Sequence, residues 1–333
     1  MKNSDKYDES VLAHIIMHKC FYGVAHNRND SDTIAASTQS ELFAEADDLL
    51  SPVYDELVVA FANGDQMSFD DTNLKIQPLE KGGPKTAWGS AFIGRDCVIY
   101  SFDRYHAGIN LKKILEKRSP HLAPPIGLSD ALPSYESYKK DTIDSHCLTH
   151  GRRRFKVAMD EDEGFCKKII DLIAQVYEVD KRAKDLSDLE RQQLHARESA
   201  PVMNEIMGEV QEAIEEKRFM PNSELGKAIA YWDEDFNKLT NFIRIPGVLL
   251  DTNHVERGIK SPIRIRKQAP IFKTLSGAER TGRMLSLVET SLYNKTNARS
   301  YLIWALKGRR KGQAAIELTP WMFKRYLEME QRK

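Results

Sequence analysis

Residues 251–257 read Asp-Thr-Asn-His-Val-Glu-Arg, and their order predicts a helix that carries an acid one turn from its start. A helix beginning near Asn253 places Glu256 about one turn inside it, because an α-helix has 3.6 residues per turn. Val255 and Ile259 then form the buried side of that helix. The same residues also suit an ordinary helix start, so this motif alone does not establish a functional site.

Two further acidic positions close apolar runs that we predict to be strands. Residues 67–71 end in Asp70 and Asp71, and residues 124–130 end in Asp130. Side chains alternate across a strand, so Asp70 and Asp71 point to opposite faces and at most one of them serves a given site. Exposure in a loop is the alternative for this pair. Capping of a following helix is the alternative for Asp130.

The order of periodic segments predicts an α/β fold interrupted by a long helical stretch. Hydrophobic residues recur at helical spacing throughout residues 155–245, where one helix starts near Pro201 and another is capped by Ser223. The other predicted elements are helices over 8–20 and 40–62, a hairpin over 87–93 and 97–102, a helix over 111–115, a helix around 135–140 and a strand over 145–149.

Composition excludes two classes of protein. No apolar run among the 333 residues approaches the roughly 20 needed to span a bilayer, and no basic-then-apolar leader follows Met1. The four cysteines lie far apart, which is typical of reduced thiols in a cytoplasm rather than of a disulfide framework. We therefore expect a cytoplasmic protein, associated with the nucleoid if it binds DNA, and no membrane partner.

Charge is distributed unevenly along a chain whose formal net charge is zero. Residues 1–80 hold fifteen acidic and five basic side chains, whereas residues 257–333 hold five acidic and eighteen basic ones. Basic side chains clustered in this way indicate a surface for a polyanion, with a merely solvated face as the alternative. The candidate DNA-binding residues are Arg152, Arg153, Arg154, Arg257, Lys260, Arg264, Arg266, Lys267 and Arg280.

Cys147 and His150 form a C-x-x-H pair. A structural zinc site would need two further ligands at suitable spacing. The alternative is that this pair joins a strand to the helical stretch.

These stretches resemble the DDE transposases of the bacterial insertion sequence 66 family. Residues 251–259 resemble its D-N-N-x-x-E-R-x-I signature, with Asp251, Asn253 and Glu256 in place. Residues 286–290, Ser-Leu-Val-Glu-Thr, resemble its S-L-I-E-T. Residues 147–155 resemble its C-x-A-H-x-R-R-K-F, and residues 69–72 resemble its A-D-E-T, which selects Asp70 as the first catalytic acid.

The resemblance implies a ribonuclease H-like mixed sheet flanked by helices, with an all-helical insertion between the second and third acids. Asp70, Asp130 and Glu256 would hold two Mg²⁺ or Mn²⁺ ions for DNA cleavage and strand transfer. Asp251, Asn253, Cys147 and His150 would support them. The implied segments are an N-terminal helical segment (1–64), the first part of the core (65–155), the insertion (156–245), the last part of the core (246–306) and a basic tail (307–333).

The resemblance also implies double-stranded DNA as partner, a homo-oligomer on that DNA and accessory transposition proteins. It departs from the family near Asp130, where Leu128-Ser129-Asp130-Ala131-Leu132 replaces L-Q-x-D-G-Y. The family's usual N-terminal zinc-binding and helix-turn-helix segments are not seen ahead of residue 8. Two alternatives follow: a transposase remnant that only binds DNA, and a ribonuclease H-like nuclease that cuts without joining.

Overall fold

Two groups of segments in the chain pack as separate units. The computed structural model describes residues 7–25, 34–77, 85–130 and 141–332. Unit 1 comprises the described residues up to Ala123 and from Val255 onward; unit 2 comprises residues 124–130 and 141–254. The predicted division into five segments stays a prediction, and the predicted helix around 135–140 lies outside the described residues.

Residues 148–149, predicted as the end of a strand, instead begin a helix. The described helices include several close to the positions that hydrophobic periodicity predicts, such as those near residues 8–20, 40–62 and 111–115. They are α1 (Glu9–Ile16), α2 (Ala36–Ala62), α3 (Ala107–Leu115), α4 (Leu148–Val157), α5 (Glu163–Arg182), α6 (Asp188–Glu215), α7 (Glu224–Leu239), α8 (Asn241–Arg244), α9 (Asn253–Gly258), α10 (Lys260–Gln268), α11 (Leu275–Tyr293), α12 (Ala298–Arg310) and α13 (Pro320–Glu330). A short π-helix follows α1 over Met17–Phe21. None of the described helices is both long and apolar enough to cross a membrane.

Unit 1 contains three antiparallel strands in the order β3-β2-β1, where β1 is Gln66–Ile76, β2 is Lys85–Ile93 and β3 is Val98–Asp103. The predicted hairpin is confirmed. Strand β1 is longer than predicted, and its second half alternates buried and exposed residues from Thr72 to Ile76. Asp70 lies opposite Ala91 and Asp71 lies opposite Ser90 in the β1–β2 register.

Helix α11 covers the outer edge of β3. The Ser286 hydroxyl accepts from the Tyr100 backbone N–H at 2.8 Å. The Thr290 hydroxyl accepts from the Val98 N–H at 3.0 Å and donates to the Val98 carbonyl at 3.0 Å. An uncovered edge strand would expose these groups to pairing with another chain. Ser286 and Thr290 of the Ser-Leu-Val-Glu-Thr segment therefore have a structural role, because they bind the backbone groups at the edge of β3.

Unit 2 combines two parallel strands, β4 (Ile126–Ser129) and β5 (Ile143–His146), with helices α4 to α8. Helices fill the stretch from Leu148 to Arg244, as the periodicity predicts. Pro201 lies inside α6 instead of near its start, because Ser187 begins that helix earlier with a reciprocal capping box. Together the two units hold five described strands, antiparallel in one and parallel in the other, so the predicted mixed α/β class is confirmed.

Candidate active site

The two neighbouring acids of β1 have different surroundings. Asp71 accepts hydrogen bonds from the Ser90 hydroxyl at 2.6 Å and from the Ala107 backbone N–H at 2.8 and 3.0 Å. Its side chain is only 4% exposed, and the His106 Nδ1 atom lies 3.3 Å from its Oδ2 atom. A carboxylate at the first N–H of α3 also interacts favourably with the helix dipole. Asp71 therefore anchors α3 to the sheet.

Trp88 completes this anchor from the neighbouring strand. Its ring stacks on the His106 ring with 3.7 Å between the centroids, which holds the imidazole beside Asp71. This contact was not predicted from the sequence. No local pattern could reveal it, because residues 71, 88 and 106 meet only once the sheet and α3 have formed.

Asp70 is partly buried and points to the opposite face of β1, the face that also carries Thr72. Its Oδ1 atom accepts the backbone N–H of Asp71 at 2.7 Å. Thr72 lies two residues after Asp70 on β1. Arg266 of α10 donates to the Thr72 hydroxyl at 2.9 Å and to the Asn73 carbonyl at 3.0 Å. The face of β1 that carries Asp70 is thus the face on which α10 is fastened.

Glu256 lies in α9, the short helix immediately before α10, and is partly buried. Val255 and Ile259 are buried, as the helical spacing predicts. The Tyr100 hydroxyl donates to the Gly258 carbonyl at 3.0 Å, which fixes the end of α9 to β3. Burial raises the pKa of Tyr100 well above its usual value, so its hydroxyl stays protonated as a donor. Asp70 and Glu256 both belong to unit 1.

The segment before Glu256 is held within unit 2. Asp251 accepts the Asn253 backbone N–H at 3.0 Å and also pairs with the Asn253 side-chain amide, which shapes the turn into α9. The backbone N–H and hydroxyl of Thr252 both donate to the Cys147 Sγ atom at 3.3 Å. Cys147 and Asp251, predicted to be supporting residues, thus fix the approach to the helix that carries Glu256.

Asp130 follows β4 in unit 2 and lines a pocket of about 240 Å³. The other lining residues are His150, Arg153, Arg154, Val157, Glu224, Lys227 and Ala228. Three of these side chains are cationic, and the Arg154 guanidinium also lies 4.1 Å from the centre of the Tyr231 ring. The structure thus groups Asp130 with His150 and with two of the three predicted DNA-binding arginines of α4.

The predicted DNA-binding residues of unit 1 divide into two groups. Arg257, Lys260 and Lys267 are exposed. Arg264, Arg266 and Arg280 make contacts inside the protein: Arg264 donates to the Cys20 carbonyl at 3.4 Å, and Arg280 lies 3.5 Å from the Asp47 carboxylate. The exposed group is therefore the better candidate for phosphate contacts, and the second group has a structural role in addition.

The sequence also matches the model of a known protein family. The model for the transposase IS66 family matches residues 6–280. The chain belongs to the IS66 transposase family. An uncharacterized protein of Sinorhizobium fredii (strain NBRC 101917 / NGR234), y4jD, is 26% identical over an alignment of 299 residues that covers 83% of this chain and 57% of that protein. The chain thus spans less than two thirds of the length of this curated relative.

Membership of the IS66 transposase family confirms the resemblance drawn from the motifs. The assignment of individual acids and of two metal ions stays a prediction. Within the described ranges, no three His, Cys, Asp or Glu side chains are grouped closely enough to hold one metal ion.

Proposed function

We propose that this chain is a DNA transposase that cuts DNA strands and joins the ends of an insertion element to a target. Its family supports a transposase function. In this proposal the strands and flanking helices form a ribonuclease H-like core, and α5 to α8 form a helical insertion between the second and third acids. The partners are double-stranded DNA, further copies of the chain assembled on that DNA, and accessory transposition proteins.

One observation carries the choice of catalytic acids: the different surroundings of Asp70 and Asp71. Both oxygens of Asp71 accept from the Ala107 backbone N–H at the start of α3, and a second donor is the Ser90 hydroxyl. Asp70 projects from the opposite face of β1, where Arg266 fastens the helix that follows Glu256. We therefore assign Asp70 and Glu256 as two of the catalytic acids, and Asp130 as the third.

Carboxylate oxygens are the ligands that Mg²⁺ and Mn²⁺ prefer, so in this proposal Asp70, Asp130 and Glu256 would supply the oxygens that hold two such ions. When bound, the ions would activate a water molecule or a DNA 3′-hydroxyl for attack at phosphorus and stabilise the leaving oxygen. Asp71 does not fit as a ligand, because its oxygens already accept hydrogen bonds in a nearly closed site.

The other residues position the acids and the DNA. Tyr100 and Asp251 fix the two ends of the α9 segment, which limits the movement of Glu256. The exposed Arg257, Lys260 and Lys267 would contact phosphate oxygens on either side of the cleaved bond. Arg153 and Arg154 would do the same beside Asp130. Such contacts give binding that weakens steeply with salt and depends little on sequence.

The test is nicking of supercoiled plasmid DNA with Mg²⁺, together with joining of oligonucleotide ends to the plasmid. We expect wild type to nick and to give joined products. Glu256→Gln, which removes the charge and keeps the shape, should lower nicking at least about a thousandfold while DNA binding is unchanged. Lys324→Gln, a change on the exposed side of α13, is the matched control and should nick like wild type.

Each alternative has its own outcome. DNA binding by wild type without any nicking would contradict the proposal and favour a remnant that only binds DNA. Nicking without joined products would favour a simple nuclease. Nicking that survives Glu256→Gln would show that the acids are assigned wrongly.

A further inference from the structure

A cavity of about 610 Å³ lies in unit 1, and its described lining residues include none of the acids assigned above. Its walls come from the π-helix after α1, the start of α2 and the segment from the end of α10 into α11. The lining residues on which the argument rests are Lys19, Phe43, Phe272, Lys273, Thr274 and Arg280. A volume of this size is in the range of ligand sites and exceeds what one phosphate group fills.

Lys19 projects into this cavity with little to balance its charge. Its Nζ atom lies 4.4 Å from the centre of the Phe43 ring, a cation–π contact. Among the residues that the structure describes, no carboxylate lies within ion-pair distance of it. Burial lowers the pKa of Lys19, and the Arg280 guanidinium acts in the same direction. An anion placed in the cavity would relieve both effects.

The rest of the cavity is also electropositive. Arg280 shares one carboxylate, Asp47, with Arg283, which binds it through two hydrogen bonds at 2.6 and 2.8 Å. Lys273 is exposed at the rim, and no acidic side chain is found among the described lining residues. Three cationic side chains, Lys19, Lys273 and Arg280, therefore line the cavity, and the carboxylate that Arg280 contacts is shared with Arg283.

We propose that this cavity binds a phosphate group of a DNA strand, with the adjoining sugar against the apolar wall that Phe43 and Phe272 provide. The Lys19 ammonium would contact the phosphate inside the cavity, and Lys273 would contact it at the rim. The proposal rests on the proposed function for its choice of DNA as the source of the phosphate. It adds a contact point that lies outside the predicted acidic site and that includes two lysines absent from the predicted DNA-binding set.

The experiment measures binding of a fluorescently labelled 20-nucleotide single strand, and of the matching duplex, by anisotropy at several salt concentrations without metal. We expect Lys19→Gln and Lys273→Gln each to weaken binding by roughly three- to tenfold at low salt. Each should also lower the slope of log K against log salt by about 0.7 to 0.9, the value for one phosphate contact. Lys324→Gln changes the same charge elsewhere in unit 1 and should leave the salt slope unchanged.

Thermal unfolding of each variant shows whether it is folded, and inorganic phosphate serves as a competitor. If folded Lys19→Gln and Lys273→Gln both bind with the wild-type slope, the proposal is wrong. If inorganic phosphate stabilises wild type through Lys19 while the DNA slope stays unchanged, the cavity takes small anions and the proposal is also wrong. Loss of one phosphate contact in a protein that never nicks DNA would support this inference while the catalytic proposal fails.

Discussion

Asp70 and Glu256 in unit 1 differ from Asp130 in unit 2 in how firmly the surrounding residues are held. Asp70 lies in the middle of an eleven-residue strand paired along β2, and Glu256 lies in a helix whose end is bound by Tyr100. Asp130 follows a four-residue strand and faces a pocket with His150, Arg153 and Arg154.

The three acids also differ in how clearly the sequence around each one matches the family motifs. Residues 251–259 and 69–72 match the family signature well, and both lie in hydrogen-bonded elements with several long-range contacts. The segment around Asp130 departs from the signature, and Asp130 lines a pocket together with Arg153, Arg154 and Lys227. Asp70 and Glu256 thus combine a clear motif with a hydrogen-bonded element, whereas the proposal of Asp130 depends on its position at the end of a strand.

The largest expected effect comes from Asp130, whose substitution tests whether the acid of unit 2 takes part in catalysis. Asp130→Asn should lower plasmid nicking by about a thousandfold, because it removes one of three carboxylates required at the reacting phosphate. Single-turnover nicking rates provide the measurement. Glu224→Gln, at the other acid of the same pocket, is the control and should change the rate by less than about threefold.

If Asp130→Asn nicks plasmid DNA at the wild-type rate, Asp130 is not a catalytic acid, and the third acid must be another residue. Equal losses from Asp130→Asn and Glu224→Gln would point to the charge of the pocket as a whole rather than to catalysis.

The rates at which the buried cysteines are alkylated report how tightly the side chains of each unit are packed. Burial raises the pKa of Cys20 and Cys97 in unit 1 to about 12 and that of Cys166 in unit 2 to about 11. Only the thiolate reacts, and an unperturbed cysteine has a pKa of about 8.5. At pH 8 we therefore expect alkylation by iodoacetamide to be at least about a hundredfold slower in the folded protein than in guanidinium chloride.

The rate should continue to rise up to pH 10, because the thiolate fraction grows about tenfold per pH unit below the pKa. Mass spectrometry of peptides assigns the label to each cysteine, and we expect Cys166 to react before Cys20 and Cys97. Rapid labelling of Cys20 or Cys97 in the folded protein would contradict the tight packing described for unit 1.

The smallest effect concerns the edge of β3. Ser286→Ala should lower the free energy of unfolding by about 1 to 2 kcal/mol, because the Tyr100 N–H loses its acceptor in a buried place. Thr290→Val should have a similar effect through Val98. Denaturant unfolding measures both, with the exposed Ser300→Ala as the control, expected within about 0.5 kcal/mol of wild type. No destabilisation by either buried change would mean that water replaces the hydroxyl.

Much of the fold could be predicted from local patterns. The turn at residues 94–96 located the hairpin, and helical periodicity located α5 to α8. The predicted strand ends at Asp71, whereas β1 continues to Ile76. Thr72, Leu74 and Ile76 alternate with polar residues in the period of a strand. Proline favours the first turn of a helix, which predicted a start near Pro201, whereas the capping box at Ser187, fourteen residues earlier, begins α6.

The surroundings of the site could be predicted less well. Spacing alone could not choose between Asp70 and Asp71, since the choice depends on Ser90 and Ala107, which join Asp71 only in the folded sheet. The same holds for the link between Thr252 and Cys147, which are distant in sequence. Such contacts depend on tertiary structure and leave no periodic trace in the chain.

The most direct test of the central claim compares Asp70→Asn with Asp71→Asn in plasmid nicking and thermal unfolding. We predict that Asp70→Asn lowers nicking by about a thousandfold at an unchanged Tm, because its carboxylate serves the chemistry. Asp71→Asn should instead lower the stability by about 2 to 3 kcal/mol, since an amide cannot accept the same hydrogen bonds, and should still nick where it is folded. The reverse pattern, with a stable but inactive Asp71→Asn and an active Asp70→Asn, would contradict the account.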